Sequence, residues 1–358
     1  MLKLRPEFLD EVRAAETPED LYKHLQAAIE LEHATIPLYL TAAYSIKDGY
    51  NAKARGIIVS VAIEEMLHMT IAANVLNAIG GSPTIDKPGF VPLYPGPLPM
   101  HVHEGLTASL QKATRGLIYN TFMTIEEPEV PIKLRVKQLE VLPTALFAGA
   151  PSPTGYATIG DFYAAIQQKI RDLAKKEDIF NPSNPQVVDN TWFPASELFP
   201  VVDVDTACKA IDVIVEQGEG TKSSPLEHPG GEPAHYYRLA QIVYGRELVE
   251  DESTDEGYSY SGAAVPLDPA GVWNLLPDAK AVDYAEGSRA RYLADRFNYA
   301  YTSLLRALHR TFNGEPERLR SALGLMYELR LLCADLVATP IEDTPYFAAP
   351  TFEYTPTL

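Results

Sequence analysis

The run Ile63-Glu64-Glu65-Met66-Leu67-His68-Met69 sets a carboxylate and an imidazole three residues apart inside an otherwise apolar stretch. Three residues is just under one helical turn, so Glu65 and His68 leave the helix on the same side. Ile58, Val61, Ala62, Glu65, His68, Met69, Ala72 and Leu76 follow steps of three and four, which makes that side the apolar one. An ionised carboxylate taken out of water without a partner costs several kcal/mol or takes up a proton. A bound cation removes that cost, so the pair reads as metal ligands. Glu64 falls on a different side and drops out.

The search for partners follows the same phase argument. Leu25, Ala28, Glu32, Thr35 and Tyr39 share one stripe, which buries Glu32, while Glu30 lies with Lys23 and Gln26 and is solvated. A second Glu-x-x-His occurs at Glu232 and His235, with His235, Leu239 and Ile242 on one apolar line. The helix before it ends in VEQGEG and offers two acids. Glu219 is in phase with Cys208, Ile211 and Val215, whereas Glu216 is in phase with Lys209 and Asp212, so Glu219 is preferred.

Glu32, Glu65, His68, Glu219, Glu232 and His235 then give one Glu from each of two helices and one Glu-x-x-His from each of two others. That is the ligand set of a carboxylate-bridged dinuclear site in a four-helix bundle. Oxygen-rich ligation with one imidazole per ion suits two metal ions of the iron or manganese kind, or a mixed pair, better than zinc or copper. Arg238, three residues after His235, His33, beside Glu32, and Tyr39 are candidates for supporting the ligands or touching a substrate. Glu126 and Glu127 could face the same pocket, and their spacing alone does not decide it.

These residues need helices to hold them. Thr17-Pro18-Glu19-Asp20 opens one that is predicted over about 18–46, and Asp48-Gly49 breaks it. A second runs over about 52–79 and stops at Gly80-Gly81. Glu32 and Glu65 are nearly equidistant from the joint at residue 49, so an antiparallel hairpin brings them to one height. Core helices three and four are predicted at about 205–220 and 233–249. Residues 81–204 form a long insertion, Pro-rich from 83 to 99. The stretch YSYSGAAVPLDPAGVW suggests one or two short strands. Residues 287–338 read as a C-terminal helical hairpin, with a Pro- and Tyr-rich tail expected on the surface of the core.

Lys plus Arg number 30 against 48 Asp plus Glu, a net charge of −18 over 358 residues. That charge excludes nucleic acid and anionic membrane surfaces as partners and leaves a small-molecule substrate. The oligomeric state is open, a homodimer included. Two cysteines make neither a disulfide framework nor a thiolate zinc site. With no run of about 18 apolar residues expected, the chain reads as one soluble, cytoplasmic domain over 1–358.

The stretches LEHATIPLYLTAAYS (31–45), IEEMLHMTIAANVLNAIGG (63–81), VEQGEG (215–220) and HYYRL (235–239) resemble the ferritin-like family named for iminophenyl-pyruvate dimer synthase. Its domain also occurs in violacein- and rebeccamycin-type pathway enzymes. FNYAYTSLLRALHRTFNG (297–314) and PTFEY (350–354) are similar to its C-terminal half. The resemblance implies a mainly α, ferritin-like four-helix bundle and a dinuclear metal centre on the six residues named above. It also implies an oxidoreductase of secondary metabolism, using dioxygen or peroxide on a small organic substrate that is amino-acid-derived or aromatic. Iron binding with ferroxidase activity is the alternative, and a non-catalytic metal-binding scaffold is the third reading.

Overall fold

The computed structural model describes residues 6–101, 106–128, 130–137, 158–220 and 224–356, without the side chains of Pro6, His101 and Glu219. Helix α1 (Pro6–Ala14) leads into α2 (Pro18–Tyr44). The Asp20 carboxylate accepts the backbone N–H groups of Glu16 and Thr17 at 2.9 and 3.0 Å, and Pro18 fills the first helical position, where no N–H is needed. The helix ends two residues earlier than expected, at Tyr44 rather than about 46. Helix α3 (Ala52–Ala78) follows a short joint and stops at Gly80, whose φ of 96° favours glycine. Every member of the two stripes named from the sequence is buried.

By length and composition α3 is apolar enough to cross a membrane, contrary to the sequence expectation of no such run. Most of that apolar surface lies inside the protein, because α3 is covered by α2, α7, α8 and α9. A helix apolar on nearly every side is the signature of one buried on nearly every side.

The insertion is mixed, as expected. Helix α4 (Arg115–Leu117), a π-helical turn (Ile118–Phe122) and α5 (Met123–Ile125) follow without a break, and α6 spans Ile159–Ala174. Thr114 caps the first of these by accepting the Leu117 N–H at 3.0 Å. Helix α7 (Val204–Glu219) has Asp203 as its cap. Asn74, buried on α3, ties the loop before α7 to the bundle, exchanging two 2.8 Å hydrogen bonds with the backbone of Val187.

The fourth core helix is shorter than expected. Helix α8 spans His235–Tyr244, not 233–249. Residues 226–233 instead form a β-bridge, Leu226 with Pro233, so the helix starts late. It ends at Gly245, left-handed at φ 71°, and the next residues become strand β2 (Arg246–Glu250). This strand pairs antiparallel with β3 (Tyr258–Ala264), which pairs parallel with β1 (Arg135–Val136). Helices α9 (Arg289–Phe312) and α10 (Leu319–Val337) make the C-terminal hairpin. The tail goes deeper than a surface strap, since Ala348, Ala349, Thr351 and Phe352 are buried and Phe352 packs edge-on against Phe297 and Tyr301. The molecule is thus mainly helical with one small sheet.

Candidate metal centre

Helices α2 and α3 run antiparallel and set Glu32, Glu65 and His68 at one level. His68 Nδ1 lies 3.7 Å from Glu32 Oε2 and 3.7 Å from Glu65 Oε1. The other side of Glu65 meets His235, at the start of α8, whose Nδ1 lies 3.1 Å from Glu65 Oε1 and 3.3 Å from Glu126 Oε2. The site is therefore two trios, Glu32/Glu65/His68 and Glu65/Glu126/His235, with Glu65 in both. The two imidazoles stack at 5.4 Å between centroids.

Each donor is held from behind. Tyr163 on α6 donates to Glu32 at 2.5 Å, Thr35 donates to Glu65 at 2.8 Å, and Tyr39 donates to Glu126 in a short hydrogen bond. His68 Nε2 meets Gln217 Oε1 at 3.0 Å, and His235 Nε2 meets Glu64 Oε2 at 2.8 Å. With both outer nitrogens engaged by oxygen acceptors, both Nδ1 atoms are free to present a lone pair inward.

Three carboxylates and two histidines are buried together. Burial pushes the Glu65 carboxyl up to about 7, helped by the negative charges of Glu126 and Glu32. Burial would hold the two imidazoles neutral, but the carboxylates around them raise His68, and raise His235 further. The donor set is two carboxylate-rich nests that share an oxygen ligand, each with one imidazole. It fits two divalent cations of the iron or manganese kind, whose binding would displace any proton held by the donors. Between the donors lies a cavity of about 40 Å³, lined by Leu31, Glu32, Glu65, His68, Glu126 and Val215 among others. That is room for roughly three water-sized bodies.

Of the six ligands named from the sequence, Glu32, Glu65, His68 and His235 come together. Glu232 does not. It is exposed, because the bridged segment 226–233 lacks the helical phase that would align it with His235. The side chain of Glu219 lies outside the described residues, and Glu216 is exposed. Tyr39 and Arg238 are at the site. His33 is not: it is buried against Phe90 and accepts or donates to the Tyr301 hydroxyl at 2.8 Å, on the side of α9. Burial alone drops its pKa to about 3.

Phase reasoning left Glu126 open and missed Glu64, Gln217 and Tyr163. Glu126 comes from the insertion, just past α5, where no long periodic pattern flags it. Glu64 is one residue off the buried stripe, and what recovers it is the start of α8 lying against α3. Arg238 Nη1 binds Glu64 at 2.6 Å, and its Nη2 binds the buried Glu227. Burial raises Glu64, but the hydrogen bond from His235 and the charge of Arg238 bring it down to about 2. Arg238 and Glu64 also line an open groove of about 630 Å³ with Lys53, Ile57, Glu232 and Glu247. The described insertion contributes nothing to that groove. It closes the small cavity instead, with Ile125, Glu126 and Ile159.

The family model described as ferritin-like matches residues 25–244. Dichlorochromopyrrolate synthase of Lentzea aerocolonigenes is 25% identical over 390 residues, covering 94% of this chain and 36% of that protein. The chain thus spans about a third of the length of that relative. The crystal structure of a ferritin-like protein from Caulobacter vibrioides superposes with a TM-score of 0.59 at 23% identity, covering 94% of this chain and 97% of the other.

Proposed function

Because this chain belongs to the ferritin-like family, we propose that it is an oxidoreductase built on a dinuclear metal centre of iron or manganese. It would use dioxygen or peroxide on a small organic substrate. The observation that carries the reading is Glu65, shared between two carboxylate–histidine trios in a buried cavity. Glu32, Glu65 and His68 would hold one ion, and Glu65, Glu126 and His235 the other. When bound, the ions supply redox chemistry and Lewis acidity. The chain's own residues do the rest. Tyr163, Thr35 and Tyr39 fix the carboxylate oxygens, Gln217 and Glu64 fix the imidazole rings, and the apolar side chains of Leu31, Ile125 and Ile214 keep bulk water away.

A 40 Å³ cavity does not hold an aromatic or amino-acid-sized molecule, while a 630 Å³ groove does. We assign the organic substrate to the groove, whose wall at Glu64 is one hydrogen bond from His235. Lys53, Glu232 and Glu247 put charges of both signs along it, which suits a molecule carrying an amine and a carboxylate. The relative's name, a synthase of a dichlorochromopyrrolate, agrees with an aromatic substrate class.

The small size of the cavity also favours a second reading, in which the protein oxidises or holds the metal itself and no organic substrate exists. Elemental analysis with anaerobic reduction and re-exposure to oxygen separates them. The expected result is two iron or manganese ions per chain, reoxidised with dioxygen uptake and faster in the presence of an accepted substrate. Glu65→Ala and Glu126→Ala should each lose at least half the metal, while Glu232→Ala should keep it all. Full loading of Glu126→Ala, or an empty Glu232→Ala protein, overturns the ligand assignment. Multiple turnovers of ferrous ion without substrate, in a large hollow assembly on size exclusion, favours the second reading.

A further inference from the structure

The two trios mirror each other in their inner donors but not in what stands behind their histidines. Behind His68 is Gln217, a neutral amide oxygen at 3.0 Å. Behind His235 is Glu64, a carboxylate at 2.8 Å. Glu64 does not stand alone: Arg238 binds it at 2.6 Å and is itself fixed by Glu227, by the Pro233 carbonyl at 2.9 Å and by Ser60 at 3.2 Å. The Arg238 side chain is 5% exposed and held on three sides, while Glu64, 20% exposed, is the member that meets the groove.

A hydrogen bond from an imidazole N–H to a carboxylate is stronger than one to an amide oxygen, and it makes the opposite nitrogen a better donor. The inner nitrogen of both histidines is the same atom, Nδ1, and both trios share Glu65. The carboxylates that differ, Glu32 and Glu126, each accept one tyrosine hydroxyl, so they largely cancel in the comparison. What remains is the group in contact with each ring, a carboxylate paired with Arg238 behind His235 and a neutral amide behind His68. We infer that the two metal positions are unequal, and that the Glu126/His235 position binds its ion first and more tightly. Glu64 is then a positioning residue for that half alone. This rests on the dinuclear reading proposed above, but it makes a separate claim about order and affinity.

Metal-free protein titrated anaerobically with Mn(II) tests it, followed by calorimetry and by electron paramagnetic resonance. Mn(II) is the probe because it needs no oxidant. In the wild type we expect two ions in two steps, with affinities at least about tenfold apart. At one equivalent the spectrum should be that of an isolated ion, and at two equivalents that of a coupled pair. Glu64→Gln should weaken only the tighter step, by about 10–100-fold. Gln217→Glu is the complementary variant. It should tighten only the weaker step and bring the two together, a gain that a damaged fold cannot mimic. Two equal steps in the wild type, or a Glu64→Gln effect on the weaker step, overturn the inference while leaving a two-metal site standing. Absence of Mn(II) binding in the wild type overturns both.

Discussion

Glu65 decides most of what the centre can do, because it is the one donor that both halves need. Buried, and packed beside two other carboxylates, it binds its proton more tightly in the folded chain than in the unfolded one, where a carboxyl titrates near 4.5. Its contribution to the stability of the metal-free protein is therefore complete below about pH 4.5 and lost as pH rises through about 7. The loss is on the order of 3 kcal/mol for a shift of this size. His33 works the other way. Its depressed pKa gives stability that is complete above about 6.5 and falls away in acid, so the bare pH profile mixes the two. The quantity to measure is the difference between metal-free wild type and Glu65→Gln in denaturant melts at pH 4.5 and pH 7. It should move in favour of the variant by a few kcal/mol, and a difference independent of pH contradicts the account. Two ions should abolish the trend by displacing the proton.

The helices that carry the site were legible wherever a long periodic run was available. Leu25 to Tyr39 and Ile58 to Leu76 fixed the stripe, and the joint near residue 49 fixed the height, so Glu32, Glu65 and His68 followed. The short elements were not legible. Glu232-Pro233-Ala234-His235 matches a motif in letters, yet only its last residue is helical, and spacing has chemical meaning only inside the element that gives it a phase. The helix expected to reach residue 249 stops at Gly245, left-handed there, because Arg246–Glu250 pairs antiparallel with Tyr258–Ala264 across the turn at 251–257, and this hairpin outweighs the helical pattern. Glu126 was hidden for a related reason, standing after a run of three short helical pieces. Contacts between elements also explain Asn74, which reads as an oddity in an apolar helix until Val187 is placed beside it. Asn74→Ala leaves a buried N–H and a buried carbonyl unpaired, a cost of about 2–4 kcal/mol. Urea melts should show that loss with the two-metal stoichiometry unchanged. A loss under about 0.5 kcal/mol would mean that the Val187 groups find other partners.

Across the molecule, the donors come from three separate parts of the chain: the first hairpin, the insertion and α8. Bound ions would join them, so metal loading should be felt in segments far from the ligands. At a metal concentration one hundred times the dissociation constant, the gain is about 2.7 kcal/mol. Limited proteolysis reads this out. Trypsin should cut within the insertion, at Lys169, Arg171, Lys175 or Lys176 of α6 and its end, up to about 100-fold more slowly when Mn(II) is bound. Glu126→Ala should lose most of that protection, because Glu126 is the insertion's donor to the trios. Equal cutting rates with and without metal would show that the insertion is anchored by its apolar contacts alone. The C-terminal hairpin backs the helices that carry the ligands, with Asn77 on α3 donating to the Phe312 carbonyl at 2.7 Å and Tyr301 meeting His33, next to Glu32 on α2, at 2.8 Å.

The π-helical turn at Ile118–Phe122 gives Glu126 its place by a count. One residue more or less in an α-helix rotates everything beyond it by about 100°. The turn holds one extra residue per hydrogen-bonded loop, and Tyr39, Phe122 and His235 close around the result. Glu126 is thus addressed by arithmetic as much as by identity. A chain with every ligand intact but one residue fewer between Arg115 and Ile125 would spell the same site and fail to build it.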